Sequence, residues 1–191
     1  MEYIYLSVSW IIYYTLHSLL ASDSVKRKVA SLLPNENVWR VFYSIISIVG
    51  LLGLLFQMAI IPENTLWKQH SLFKLASMIS MTYGLIIIKL SFKNQSILSF
   101  LTTEDRFDNN RDLKTDGVYS KVRHPLYSGT ILIFLGLFVF IPKISTIIAL
   151  AITIIYLIVG ISLEEKKLIV KFGNQYIDYK KKVPAIFPRL F

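Results

Sequence analysis

Five apolar runs decide what this chain can be: Tyr3–Leu20, about Val41–Ile61, about Leu72–Phe92, Leu126–Ile141 and Ile144–Leu163. Crossing the hydrocarbon core of a bilayer takes ~20 apolar residues as helix, and in lipid only a helix or closed barrel satisfies its own backbone. A 191-residue chain that is 54% hydrophobic and built this way reads as an all-α polytopic membrane protein with five transmembrane helices. The fourth run is short and ends at Pro142. Only Pro142 and Lys143 separate it from the fifth, so those two helices form a tight antiparallel hairpin. The first run has no basic stretch before it and no small-residue cleavage site, so it is expected to be retained as a helix rather than removed as a signal peptide. No repeat, linker or low-complexity tract divides the chain, and 1–191 is expected to be one integral-membrane domain.

The net charge of +9 could suggest nucleic acid, but its distribution argues for orientation in a membrane. Lys26, Arg27, Lys28 and Arg40 follow the first run. Lys93, Arg106, Arg111, Lys114, Lys121 and Arg123 follow the third, with Lys89 at its end. Lys166, Lys167, Lys171, Lys180, Lys181, Lys182 and Arg189 follow the fifth. The opposite side has only Lys68, Lys143 and Lys74. Basic residues mark the cytoplasmic side, so the expected topology is N-terminus outside and C-terminus inside, in an inner or plasma membrane whose anionic lipids suit the basic side. No stacking platform of aromatic and basic residues supports nucleic-acid binding. The absence of cysteine excludes disulfides and thiolate metal sites. The acids of "EDRFDNNRDLKTD" lack metal-ligand spacing, so no metal is expected.

Chemistry concentrates in two places. The first is "GVYSKVRHPLYSG", residues 117–129. Pro125 suits the first turn of a helix, where its missing N–H has no partner to lose. Arg123 and His124 sit just outside that helix start, whose free N–H groups and dipole make an electropositive corner suited to a carboxylate or phosphate. Arg123 could equally be an interfacial anchor that snorkels to the headgroups. The second is "SLEEKKLIVKFGNQYIDYKKK", where the fifth run leaves the membrane. If the helix continues as an amphipathic cytoplasmic tail, Glu165, Ile169, Phe172, Tyr176 and Tyr179 share one face and Glu164 points aside. Glu165 is then the acid on an apolar stripe, where it needs a partner or a ligand; an ion pair with Arg123 or a lysine is the plain option. The two-residue turn forces the start of one hairpin helix and the end of the other together. Arg123 and His124 must therefore converge with Glu164 and Glu165. His17 in the first run is expected to make a helix–helix hydrogen bond, as polar groups in membrane helices do, with contact to a ligand as the other option.

These two stretches together resemble the membrane-bound methyltransferase superfamily, which includes isoprenylcysteine carboxyl methyltransferases, phospholipid methyltransferases and methanethiol S-methyltransferases. The carrying pattern is G-x-Y-x-x-x-R-H-P-x-Y-x-G, then a hairpin, then E-E-x-x-L-x-x-x-F-G-x-x-Y-x-x-Y and a Pro-ended tail, over residues 113–188. The resemblance implies an S-adenosylmethionine enzyme acting on a small or lipophilic methyl acceptor, with 113–188 as the cofactor-binding region and 1–92 shaping the acceptor side. It implies that Gly117, Val118 and Tyr119 lie along the cofactor, that His124, Pro125 and Tyr127 form one wall, and that Glu164 and Glu165 offer carboxylates to it. Arg123 and Glu165 are the implied catalytic pair, Arg123 by orienting an acceptor carboxylate. The competing readings are an NADPH-dependent sterol-type reductase, although the long N-terminal helical region of those enzymes is missing, and a non-enzymatic membrane scaffold.

Overall fold

The structure is a computed structural model describing residues 1–22, 25, 28, 36–92 and 112–189. Lys26, Arg27, Lys93, Arg106 and Arg111 from the charge pattern, and the side chain of Arg40, lie outside what it describes. The described α-helices are α1 (Glu2–Ala21), α2 (Glu36–Ile60), α3 (Ser71–Ser91), α4 (Pro125–Phe140), α5 (Ile144–Phe172) and α6 (Asn174–Lys182). A 3-10 helix, Gly117–Ser120, precedes α4, and there is no strand among the described residues. Among the described residues, four helices are long and apolar enough to cross a bilayer: α1, the Val41–Ile60 part of α2, α3 and α5; α4 is a shorter apolar helix of 16 residues. This is the helical membrane architecture expected of the apolar runs.

The chain falls into two compact units. The first carries α1 and α2. Leu6 and Trp10 are fully buried in it. Gly50 lies against the Tyr13 ring, where a Cβ would come within 3.0 Å of it, and the Tyr13 hydroxyl donates to the Ser47 carbonyl at 3.1 Å. His17 bridges the same two helices: Nδ1 lies 3.1 Å from Ser47 Oγ and Nε2 lies 2.9 Å from the Tyr43 hydroxyl. The histidine thus has the interhelical partners its place in an apolar run demands.

The second unit comprises the described part of Asn64–Lys93 and Asn110–Phe191. Its frame is the crossing of α3 on α4. Ser77, Gly84 and Ser91 recur at seven-residue spacing along the buried stripe of α3; Gly84 faces Gly129 of α4 and Ser77 faces Gly136. A Cβ on Gly84 would meet the Gly129 carbonyl oxygen at 2.7 Å, and one on Gly129 would meet the Gly84 oxygen at 2.6 Å. Two backbones this close leave no room for a side chain. In lipid, where apolar burial between helices gives little, such small-residue contact supplies the attraction. Ser80 adds a hydrogen bond from Oγ to the Leu132 carbonyl at 2.9 Å.

The α4–α5 hairpin turns through Pro142 and Lys143. Thr146 Oγ1 caps it, accepting from the Lys143 N–H at 3.2 Å and donating to the Ile141 carbonyl at 2.7 Å. The segment before α3 binds this turn: Leu66 N–H donates to the Pro142 carbonyl at 2.7 Å, Gln69 Nε2 donates to the Val139 carbonyl at 2.6 Å, and the Trp67 ring meets Phe138 edge-on. At ~1.5 Å per residue, the 29 residues of α5 extend about 44 Å, well beyond a ~30 Å hydrocarbon core. Glu164 and Glu165 lie about 30 Å along the helix, at the edge of such a layer at the end opposite the hairpin turn, and the last two turns extend beyond.

One element departs from the sequence expectation. The helix does not run straight from Glu165 to Tyr179; α5 ends at Phe172 and α6 begins at Asn174. Gly173 takes φ 56° and ψ −132° between them, a conformation that side-chain-bearing residues avoid. The stripe survives the break, since Glu165, Tyr176 and Tyr179 are all buried, but two short faces joined by a turn present it.

Candidate functional site

The second unit brings Arg123, His124, Glu164 and Glu165 together where α4 begins and α5 emerges. Pro125 opens α4 with His124 as its N-cap residue. The hairpin sets the opposite helix so that Glu165 points at both basic residues. Arg123 reaches Glu165 Oε1 with Nε at 2.9 Å and Nη2 at 2.5 Å. Its Nη1 donates to the carbonyls of Lys180 at 3.2 Å and of Val183. Four of the five guanidinium donors are thereby engaged. His124 stands between the two acids, Nε2 3.2 Å from Glu165 Oε1 and Nδ1 3.4 Å from Glu164 Oε2. Lys180 closes the cluster, its Nζ 2.6 Å from Glu165 Oε2.

The two acids differ sharply. The Glu165 side chain is 7% exposed and has a cationic partner on each oxygen, whereas the Glu164 side chain is 47% exposed. The electropositive corner read from the sequence therefore receives the protein's own carboxylate, Glu165. The backbone there is also covered: the N–H groups of Arg123 and His124 donate to the carbonyls of Pro184 and Ala185, both at 2.9 Å, and Ser128 Oγ donates to the Ile186 carbonyl at 2.6 Å. The tail Val183–Ile186 thus lies as a strap along the segment leading into α4.

The other candidate residues surround this cluster. The Tyr127 ring stacks on His124, with centroids 5.5 Å apart and planes 10° apart, and its hydroxyl lies over Gly160 of α5. Pro125 is buried at the helix start. Gly117 takes φ 59° and opens the 3-10 helix that holds Val118 and Tyr119. Tyr119 reaches the end of α3, donating to the Ser91 carbonyl at 3.4 Å under the Lys114 ammonium. Its own carbonyl accepts the Tyr179 hydroxyl at 2.6 Å, tying the 3-10 helix to α6. Burial, then the Glu164 charge, raises the Tyr119 phenol above its ordinary range. Burial first and Glu165 second raise Tyr176 in the same way. Tyr179 is pushed up to about 12, by burial against a smaller opposing effect of Arg123.

Lys180, Ser128 and the strap carbonyls were not singled out by the sequence pattern. Lys180 sits in a run of three lysines that reads as membrane-facing charge, and backbone acceptors have no residue signature. The single available signal was spacing: Lys180 follows Tyr176 by one helical turn and so shares its face.

A small polytopic α-helical membrane protein, with a basic corner at one hairpin helix and a glutamate pair at the other, is the class that fold and site define. The chain belongs to the NnrU protein family, whose profile matches residues 5–186. Among similar proteins is methanethiol S-methyltransferase 2 of Bradyrhizobium diazoefficiens, 32% identical over 189 residues, covering 92% of this chain and 69% of the relative. Methanethiol S-methyltransferase 1 of the same organism is 40% identical over 77 residues, 39% of this chain and 26% of its own length. Protein-S-isoprenylcysteine O-methyltransferase of Schizosaccharomyces pombe is 37% identical over 82 residues, 41% of this chain and 35% of its own. These relatives lie in the superfamily that the sequence motifs resemble.

Proposed function

We propose that this protein transfers a methyl group from S-adenosylmethionine to a small or lipophilic acceptor, a thiol, an isoprenylcysteine carboxylate or a lipid amine, at the cytoplasmic face of the membrane. One observation carries the reading: the hairpin joins the Arg123-His124-Pro125 corner to the Glu164–Glu165 pair, in a chain whose relatives bear methyltransferase names. The residues present fit the cofactor. Glu164 keeps a half-exposed carboxylate able to accept from hydroxyl and amino protons. The stacked rings of His124 and Tyr127 give a flat wall, and the space around Gly117 is open. When bound, S-adenosylmethionine supplies a methyl group on a sulfonium sulfur.

In-line displacement at such a carbon depends on alignment more than on acid–base groups. The chain's contribution is rigidity. Arg123 and Lys180 hold Glu165, Glu165 and Glu164 hold the His124 ring between them, and His124 supports Tyr127. Arg123 reaches an acceptor carboxylate only by releasing part of its hold on Glu165 and the strap, so in the closed arrangement Arg123 and Glu165 act as a positioning pair. Glu164, Tyr127, Pro125, Tyr119, Val118 and Gly117 are left to face the cofactor. A pocket shielded from water favours the reaction further, because charge disperses in the transition state when the nucleophile is anionic.

The test is to incubate the purified protein with methyl-labelled S-adenosylmethionine and a panel of thiols, prenylcysteines and lipid extract. Label recovered in one acceptor class is the expected result. Binding of NADPH without binding of S-adenosylmethionine would replace this reading with a reductase.

A further inference from the structure

Lys180 holds both members of the buried ion pair at once. Its ammonium lies 2.6 Å from Glu165 Oε2, and its own carbonyl accepts from Arg123 Nη1 at 3.2 Å. It is also the solvent-facing member of the group: its side chain is 46% exposed, against 8% for Arg123 and 7% for Glu165. It lies on α6, past the turn at Gly173, whose surroundings are open enough that a Cβ would touch nothing within 4 Å. Beyond it the chain becomes the strap, whose carbonyls at Val183, Pro184, Ala185 and Ile186 take hydrogen bonds from Arg123, His124 and Ser128. The strap therefore closes over the segment that the proposed function assigns to the cofactor wall, and Lys180 is where its helix is tied to the membrane hairpin.

We infer that Lys180 is a positioning residue that latches α6 and its strap onto Glu165, and so governs how long the cofactor is retained. Two properties separate it from the neighbouring lysines. Lys181 pairs with Asp178 within α6 at 2.9 Å, with 70% of its side chain exposed. That pair ties nothing across elements. Lys180 alone of the two spans from α6 to α5. A buried carboxylate oxygen that loses its cation keeps its desolvation penalty, so Glu165 Oε2 without Lys180 draws water in beneath the strap and the strap lifts.

The experiment compares the wild type, Lys180→Met, Lys180→Arg and Lys181→Met in micelles, with two readouts. Amide hydrogen exchange at Arg123 and His124 reports the strap directly and requires no cofactor. It is expected to accelerate about tenfold in Lys180→Met, as for the loss of one charged hydrogen bond. Lys180→Arg and Lys181→Met are expected to match the wild type. Unchanged exchange in Lys180→Met overturns the latch, as does equal acceleration in Lys181→Met, which would mark a general charge effect. The second readout rests on the proposed function: dissociation of S-adenosylmethionine should be faster by a similar factor in Lys180→Met, with the acceptor KM unmoved. A shift in acceptor KM at an unchanged cofactor off-rate overturns the retention role. A wild type that binds no S-adenosylmethionine overturns the cofactor part and the proposed function together, while amide exchange still decides the latch.

Discussion

At the scale of single residues, Glu164 and Glu165 are neighbours with different duties. Glu165 has cations on both oxygens inside the protein, so Glu165→Gln leaves Arg123 and Lys180 facing a neutral group. Breaking a buried pair in this way costs about 3 kcal/mol or more, and thermal unfolding in detergent should show it, together with loss of cofactor binding. Glu164→Gln removes a half-exposed carboxylate that holds one side of His124; the melting temperature should barely move while cofactor affinity falls. Equal melting temperatures for the two variants would contradict this division. Tyr179 adds a pH dependence. Its phenol is pushed up to about 12 from an ordinary 10.0, so the folded form holds its proton more tightly than the unfolded chain does. The stabilisation is complete below pH 10 and is lost as pH rises through 12. Loosening of α6 at alkaline pH, followed by far-UV circular dichroism, should show this limb, and Tyr179→Phe should weaken it while the raised Tyr119 and Tyr176 phenols keep the remainder.

Elements are held by contacts of two kinds. Where α3 crosses α4, the backbones touch, and Gly129→Ala would drive a methyl group to 2.6 Å from the Gly84 oxygen. Overpacking of this kind costs roughly 1–3 kcal/mol. Gly53→Ala in α2, where a Cβ meets nothing within 4 Å, serves as the control and should be neutral or slightly stabilising. Thermal melts of the two variants make the comparison, and equal melts would mean the crossing is looser than described. The α5–α6 junction is polar instead, held by Lys180, Arg123 and the Tyr179 hydroxyl around a glycine turn. The glycine at 173 is visible in the sequence, but helical periodicity passes over it, because the stripe of Glu165, Tyr176 and Tyr179 keeps its phase across the break.

At the scale of the whole molecule, the basic residues after the first, third and fifth runs predict an outside N-terminus and a cytoplasmic C-terminus. A reporter fused after Phe191 should be active in the cytoplasm and silent on the other side; the opposite result would leave the short α4 as a helix that does not cross. The sequence by itself determined the helical membrane class and the meeting of Arg123 and His124 with Glu164 and Glu165. Hydrophobic run length is a local property, and a two-residue turn leaves adjacent helices one way to lie. It did not determine which groups would satisfy that corner. The sequence offered the Glu165–Arg123 ion pair as one option; only the tertiary structure decided that this pair fills the corner, that Lys180 takes the second carboxylate oxygen, and that the strap carbonyls of Pro184 and Ala185 cap the N–H groups of Arg123 and His124. The reason is physical: hydrogen-bond partners contributed by the backbone, or by a lysine some fifteen residues on and past a turn, have no local signature, and burial selects them once the chain has folded back.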